Sequence, residues 1–142
     1  MKIEIVLKGR IVNPGYGKGV AIVSDKPISF FGDVDRTTGR IVNKELNIYG
    51  KSLKGKILVA PCGRGSTVGA WVIYALKKNK VAPAAIVLEK SDTVIASGCI
   101  IAGIPLIDQI SPPPQSIIAE GDIVEVLEDG TIKIYRDIRA PI

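Results

Sequence analysis

A short glycine-rich segment carries the side chains best suited to chemistry, Gly63-Arg64-Gly65-Ser66-Thr67. Its glycines let the backbone turn tightly and come close to a ligand. Arg64 supplies a permanent positive charge on a planar donor fork, and Ser66 or Thr67 is a typical N-cap residue before a helix. The free N–H groups at the start of such a helix would face the segment and favour an anion. The segment therefore predicts a pocket for a carboxylate or phosphate, with a hydroxyl group beside it.

The spacing of this segment also fits a second interpretation. Gly-x-Gly-Ser before a helix is typical of a plain capped turn that holds no ligand. The segment is not a Walker A loop, because no Gly-Lys-Ser/Thr ends it, and it lacks the third glycine of a dinucleotide-binding loop. Spacing alone does not choose between an anion pocket and a structural turn.

The flanking residues predict the elements that position the segment. The apolar run at 57–60 indicates a buried strand, and 67–78 indicates a helix that is apolar on nearly every face and therefore deeply buried. A strand at 84–88, a helix at roughly 92–102 and a strand at 104–107 follow. This alternation predicts right-handed βαβ crossovers and a parallel sheet, and hence an α/β fold.

Further strands are predicted on both sides of this parallel core. Residues 2–12 and 17–24 have the alternating pattern of strands. Residues 122–126 and 132–135 flank an Asp-Gly turn and predict a terminal β-hairpin. Residues 137–142 are expected to form a frayed tail.

Length and composition exclude several classes of protein. A chain of 142 residues fits a single domain, residues 1–142, with a real hydrophobic core. No apolar stretch is long and clean enough to span a membrane, and an acid inside the first apolar run argues against a signal peptide, so we expect a cytoplasmic protein. The chain has no histidine, which excludes a Ser-His-Asp triad, a histidine metal ligand and a phosphohistidine carrier.

The cysteine content limits metal chemistry. Cys62 and Cys99 cannot supply the set of thiolates that a zinc or iron–sulfur site requires, so we expect this chain to bind no metal. Cys99 lies in a predicted helix and is expected to be a packing residue. Cys62 precedes the glycine-rich segment, where packing is favoured over a reactive thiol.

The charge of the chain is unevenly distributed. Residues 1–88 hold 15 basic and 5 acidic side chains, whereas residues 89–142 hold 4 basic and 9 acidic ones. The basic residues are scattered over several elements and few aromatic residues are available to stack on bases, so we do not expect nucleic acid as a partner. A basic surface around an anion site, or one that faces an acidic partner, fits as well.

Residues 25–39 show no regular period and contain two neighbouring acids, Asp33 and Asp35. Two carboxylates in one loop could bind a cation, but the ligand spacing of a calcium loop is incomplete. An Asx-type turn that holds the loop together is the favoured interpretation.

Several separate segments point to one known family. They are Gly32-Asp33-Val34-Asp35, Gly50-Lys51-Ser52-Leu53-Lys54-Gly55-Lys56, Gly63-Arg64-Gly65-Ser66-Thr67, Ala82-Pro83-Ala84-Ala85-Ile86 and Ala102-Gly103-Ile104-Pro105. Together they resemble the small subunit of the aconitase X family, over about residues 3–136. Each segment is weak by itself, and the combination is specific.

This resemblance implies both a fold and a site. The fold would be a swivelling β/β/α domain with a parallel core sheet and a terminal β-hairpin. The resemblance also implies a large partner subunit, which would carry a [4Fe-4S] cluster. Ser66 would be the catalytic base, and Gly63, Arg64, Gly65 and Thr67 would surround an anionic small-molecule substrate.

The implied activity is that of a hydro-lyase that works only with its large subunit. It would dehydrate (R)-5-phosphomevalonate to trans-anhydromevalonate 5-phosphate in isoprenoid biosynthesis. Two alternatives stay open: a subunit of another aconitase-X-type dehydratase acting on a hydroxy acid or a hydroxyproline, or a non-catalytic module that binds an anion. Because a free serine hydroxyl is far too weakly acidic to ionise at neutral pH, a Ser66 base needs an unusually positive site.

Overall fold

The computed structural model describes residues 2–137, which contain strands and helices in alternation along most of the chain. In chain order they are β1 (Lys2–Lys8), β2 (Arg10–Asn13), β3 (Gly17–Val23), α1 (Phe30–Asp33), β4 (Ile57–Ala60), α2 (Gly69–Lys78), β5 (Ala85–Leu88), α3 (Thr93–Ala102), β6 (Leu106–Asp108), α4 (Pro114–Ile117), β7 (Ile123–Val126) and β8 (Thr131–Asp137).

The strands form one mixed sheet in the order β1-β8-β7-β3-β4-β5-β6-β2. The four strands β3, β4, β5 and β6 run parallel to one another, and all other pairs in the sheet are antiparallel. The predicted parallel core and the predicted terminal hairpin of β7 and β8 are therefore both confirmed. The Asp-Gly turn of the hairpin is closed by a 2.9 Å hydrogen bond from the Thr131 N–H to Asp129 Oδ1.

The central strand β4 is apolar at every position because both of its faces are covered. Ile57 and Val59 belong to a core between the two halves of the sheet, whereas Leu58 and Ala60 belong to a second core under α2 and α3. The neighbouring strand β5 divides its four residues between the two cores in the same alternating way. The result is the layered β/β/α arrangement, with the parallel strands in the middle.

The N-terminal strand differs from the prediction at Gly9. Residues 2–12 were expected to form one strand, but β1 pairs with β8 while β2 pairs with β6 at the other end of the sheet. The chain crosses between the two sheet halves at Gly9, where an added Cβ would lie 2.5 Å from the carbonyl oxygen of Asp108. A glycine is needed at this crossing because two backbones meet there.

The remaining predictions for local structure have mixed outcomes. The helix expected at roughly 92–102 is confirmed as α3, which begins after Asp92, whose Oδ1 accepts the Ile95 N–H at 2.9 Å, and ends at a left-handed Gly103. The segment 25–39, expected to be irregular, contains the short helix α1. Of the tail expected at 137–142, Asp137 belongs to β8, and the rest lies outside the described residues.

A test of the two-sided burial is truncation of Leu58, which is 1 % exposed. Leu58→Ala should lower the free energy of unfolding by about 2–5 kcal/mol, because it removes apolar contacts and leaves a cavity. Urea denaturation of the two proteins measures the difference. Ile101→Ala, at a position 63 % exposed on α3, is the matched control and should change stability by less than about 0.5 kcal/mol. Equal effects of the two changes would contradict the assignment of Leu58 to the core.

Candidate functional site

The glycine-rich segment lies at the carboxyl end of β4, in the connection to α2. Backbone hydrogen bonds fix its first half: the Ile28 N–H donates to the Cys62 carbonyl at 3.0 Å, and the Arg64 N–H donates to the Ile28 carbonyl at 2.9 Å. Gly63 thereby forms a parallel bridge with Ile28, three residues beyond the end of β4 at Ala60. The segment sits at the edge where open parallel sheets bind their ligands.

Its two glycines are required by close neighbours. A Cβ on Gly63 would collide with the side chains of Ile95 and Asp92, at the start of α3. Gly65 has a φ of +98° and an added Cβ there would lie 2.7 Å from Ser29 Oγ. The loop is therefore held between the 28–30 segment and α3, and the glycines serve this fit.

Ser66 follows the fixed half of the loop and is exposed. Its Oγ accepts one hydrogen bond, from the Val68 N–H at 3.1 Å. Within residues 2–137, the backbone N–H groups of Gly65, Ser66 and Thr67 donate to no protein acceptor. Several free donors and a hydroxyl therefore occur together on the open side of the loop.

The predicted helix cap is wrong in detail. Neither Ser66 nor Thr67 is the N-cap of α2, which begins at Gly69 with Val68 as its cap and without a side-chain capping bond. The carbonyls of Ser66 and Thr67 accept the N–H groups of Gly69 and Ala70 instead, so a tight turn leads into the helix. The Ser66 hydroxyl is left beside the turn and is not consumed in capping the helix.

Arg64 reaches back to a residue that sequence reasoning did not assign to the site. Its Nη2 lies 3.3 Å from Oδ1 of Asp33, and its side chain is 53 % exposed. Asp33 is buried at the end of α1, where it also accepts hydrogen bonds from the Ser29 N–H and the Asn43 side chain. The proximity of Asp33 to Asp35 in sequence drew attention to the loop but not to this contact.

Asp35 has the structural role that was favoured for it. Its Oδ1 accepts the Thr37 N–H at 2.8 Å, the geometry of an Asx turn. That backbone hydrogen bond is the main reason that the pKa of Asp35 is lowered from its ordinary value. Asp33 thus pairs with Arg64 whereas Asp35 stabilises a turn, and the two carboxylates do not form a shared cation site.

Helix α2 is less buried than its sequence predicts. Trp71 is 68 % exposed and Tyr74 is 39 % exposed, and the two rings meet edge to face with centroids 6.4 Å apart. Val68 and Phe31 are exposed as well, and the Phe31 nitrogen lies 3.9 Å from an added Cβ on Gly69. We call Phe31, Val68, Trp71 and Tyr74 the aromatic patch, which adjoins the Ser66 loop at the first turns of α2.

The two cysteines have different surroundings. Cys99 is fully buried in α3, and burial raises the pKa of its thiol to about 12, so the packing role predicted for it is confirmed. Cys62 is half-buried next to the loop, and its carbonyl accepts the Ile28 N–H. Among residues 2–137, no three His, Cys, Asp or Glu side chains are grouped closely enough to hold a metal ion.

One sizeable cavity of the fold does not involve the loop. A cavity of about 640 Å³ lies between β7, β8 and β3, lined by residues that include Lys18, Asp122 and Arg136. None of residues 63–67 lines it. The Ser66 loop therefore presents its groups on an open surface, which a second surface must cover if water is to be excluded.

Comparisons with known proteins identify the family of the chain. Residues 6–134 match the family described as the aconitase X swivel domain. A Thermococcus sibiricus protein named phosphomevalonate dehydratase small subunit is 51% identical over 123 residues, 87% of this chain and 92% of its own length. A protein of the same name from Methanosarcina acetivorans is 45% identical over 135 residues, 94% of each chain.

Solved structures give the same result for the fold. The crystal structure of Thermococcus kodakaraensis aconitase X in its holo-form superimposes with a TM-score of 0.87 at 46% identity, covering 92% of this chain and 98% of that one. The solution structure of a UPF0107 protein gives a TM-score of 0.82 at 38% identity, with the same coverage. The layered sheet and its terminal hairpin therefore define a swivelling β/β/α domain. More narrowly, the chain belongs to the aconitase X family, as its swivel domain.

Between residues 2 and 137, no helix has the length and apolar character needed to cross a bilayer.

The fit of the loop against α1 gives a prediction for Gly65. Gly65→Ala should lower the free energy of unfolding by more than about 1–3 kcal/mol, because it combines a left-handed backbone with a collision at Ser29. Gly103→Ala is the matched control: its φ is +71° and nothing lies within 4 Å of an added Cβ, so it bears only the backbone cost. Urea unfolding of both variants measures the difference, and a Gly65 variant no less stable than the Gly103 variant would contradict the close contact.

Proposed function

We propose that this chain is the small subunit of a hydro-lyase that dehydrates (R)-5-phosphomevalonate to trans-anhydromevalonate 5-phosphate. The observation that carries the proposal is the exposed Ser66 hydroxyl, placed on one loop with Arg64 and three free backbone N–H groups. The proposal is supported by relatives named phosphomevalonate dehydratase small subunit that are 51% and 45% identical to this chain over nearly its whole length. The route would be isoprenoid biosynthesis.

The loop offers what an anionic substrate needs. Phosphomevalonate carries a carboxylate and a phosphate, and either group can accept hydrogen bonds from a guanidinium fork and from converging backbone N–H groups. Arg64 would supply the charge, and the backbones of Gly63, Gly65 and Thr67 would surround the anion. The glycines matter because a side chain at either position would fill the space against α1 or α3.

Ser66 would remove the proton from the carbon beside the substrate carboxylate. Its Oγ can act as a base only if the ionised hydroxyl is stabilised, and two features favour that form. The Val68 N–H already donates to Oγ at 3.1 Å, and the positive end of α2 lies close behind. The charge of Arg64, two residues earlier on the loop, adds to this field. No histidine exists in the chain to replace Ser66 in this role.

The iron–sulfur cluster of the family does not fit the residues of this chain. An Fe–S cluster is held by several cysteine thiolates, and this chain has only Cys62 and Cys99. The thiol of Cys99 is fully buried with a raised pKa, which disfavours the thiolate form that binds iron. We therefore assign the [4Fe-4S] cluster, and the departure of hydroxide, to the large subunit.

The large subunit would cover the aromatic patch. Exposed aromatic clusters are typical of protein interfaces, in which Trp and Tyr are enriched among the few residues that dominate binding. The patch is continuous with the Ser66 loop, so a partner seated on it would also close the open side of the site. We place the assembled enzyme in the cytoplasm, which stays a prediction.

The first test is removal of the proposed base. Ser66→Ala should lower the turnover of phosphomevalonate in the assembled complex by about 10²- to 10⁴-fold, the usual cost of losing a general base. Ser97→Ala, at an exposed serine on α3, is the matched control and should leave turnover unchanged. Turnover of the Ser66 variant within about threefold of wild type would overturn the assignment.

The second test concerns the partner. This chain alone, reconstituted anaerobically with iron and sulfide, should bind no stoichiometric cluster and show no dehydratase activity, because the thiolates are too few. Addition of the large subunit should give an active, oxygen-sensitive complex. Cluster binding or turnover by the isolated chain would contradict the two-subunit proposal.

If the complex acts on a hydroxyproline or another hydroxy acid instead, the substrate assignment is wrong. Binding of anions without turnover indicates a non-catalytic module.

The same complex tests the docking surface. Trp71→Glu should weaken association of the subunits by about 10-fold or more, as expected for a buried interface aromatic residue. Val6→Glu, at a position 57 % exposed on β1, is the matched control and should associate normally. Equal affinity of the two variants for the large subunit, measured by calorimetry, would exclude the aromatic patch from the interface.

A further inference from the structure

The fold contains three arginine–aspartate pairs within residues 2–137, and one of them differs from the others. Arg136 grips Asp122 through Nε and Nη2 at 2.9 and 2.7 Å, and Arg10 grips Asp108 through the same atoms at 2.9 and 2.8 Å. Both are two-point contacts, between residues that are 98 positions apart for Arg10 and 14 positions apart for Arg136. Arg64 touches Asp33 at one point only, from Nη2 to Oδ1 at 3.3 Å.

The carboxylate of Asp33 is held in place without help from Arg64. Its Oδ2 accepts the Ser29 N–H at 2.8 Å, and its Oδ1 accepts the Asn43 amide at 2.9 Å. Asn43 is itself fixed, because its own side-chain oxygen accepts the Glu45 N–H at 2.9 Å. With 2 % of its side chain exposed, Asp33 is a rigid negative charge whose position does not depend on the arginine.

The single contact leaves most of the Arg64 fork available. A guanidinium has five N–H donors, and only one of the Arg64 donors has a protein acceptor within residues 2–137. More than half of the side chain is exposed, on the loop that carries Ser66. The other two pairs engage both carboxylate oxygens and so use more of the arginine fork.

We propose that Asp33 is a positioning residue, which fixes the Arg64 guanidinium by one Nη2 hydrogen bond and leaves its remaining donors for an anionic group of the substrate. The inference rests on the proposed function of the loop and extends it to a residue that touches no substrate. The anionic group is a carboxylate or a phosphate, since both fit the fork.

Kinetics of the assembled complex test this role. Asp33→Asn should lower kcat/KM by about 10- to 100-fold, mainly through KM, because a misplaced arginine no longer meets the anion. Arg64→Gln should show a similar loss, and the double variant should be no worse than Arg64→Gln alone. Asp122→Asn is the matched control: it breaks a buried pair remote from the loop, so it should lower stability but not change kcat or KM.

Two results would overturn the role of Asp33. One is an Asp33→Asn complex with kinetic constants within about threefold of wild type, where the proposal requires about 10-fold or more. The other is losses that multiply in the double variant, which would mean that Asp33 acts independently of Arg64. Inhibition by inorganic phosphate and by acetate, compared between wild type and Arg64→Gln, identifies the anionic group from the inhibitor that loses potency.

Two further measurements test the role of Asp33 if Asp33→Asn fails to fold or if the substrate is misassigned. Asn43→Ser loosens Asp33 without removing its charge, so it should raise KM in the wild-type background and not in Arg64→Gln. No change in KM would contradict the proposal.

¹⁵N relaxation of the Arg64 Nε–H in the full chain needs no substrate. A restrained guanidinium in wild type that becomes mobile in the Asn43 variant supports the role of Asp33, and equal mobility in both rejects it. An inactive wild-type complex would reject only the proposed substrate.

Discussion

Two backbone hydrogen bonds at Ile28, one donated by its N–H and one accepted by its carbonyl, govern the arrangement of the site. They join the 28–30 segment to Cys62 and Arg64, and so extend the pairing of β3 and β4 past the ends of both strands. Because α1 follows directly from Ile28, the same pairing brings the buried Asp33 to the arginine of the loop. The loop is thus ordered by the sheet, and its free N–H groups are those that the pairing does not reach.

The sheet can order the loop because its centre is covered on both sides. The β4 and β5 strands contribute alternate side chains to two separate cores, so neither strand can shift without disturbing both. The segments that follow these strands emerge at one edge and inherit that rigidity. The proposed base Ser66 and the proposed anion-binding Arg64 would gain from such support, since small displacements of catalytic groups cost large factors in rate.

The sequence predicted the features that depend on local pattern. The strand at 57–60 and the helix at roughly 92–102 were predicted correctly, because continuous apolar runs are local signals. The contact between Arg64 and Asp33 spans 31 positions and depends on tertiary pairing, so no local pattern reports it. The exposure of Trp71 was missed because an apolar helix face looks the same whether the chain's own core or another chain covers it.

The aromatic patch also has a consequence for how the protein is made. A chain that leaves Trp71 and Phe31 in water exposes apolar surface, and such surface favours unselective association. If the large subunit covers the aromatic patch, as proposed, copies made in excess of it would keep that surface in water. Matched synthesis of the two chains would then protect this subunit from self-association.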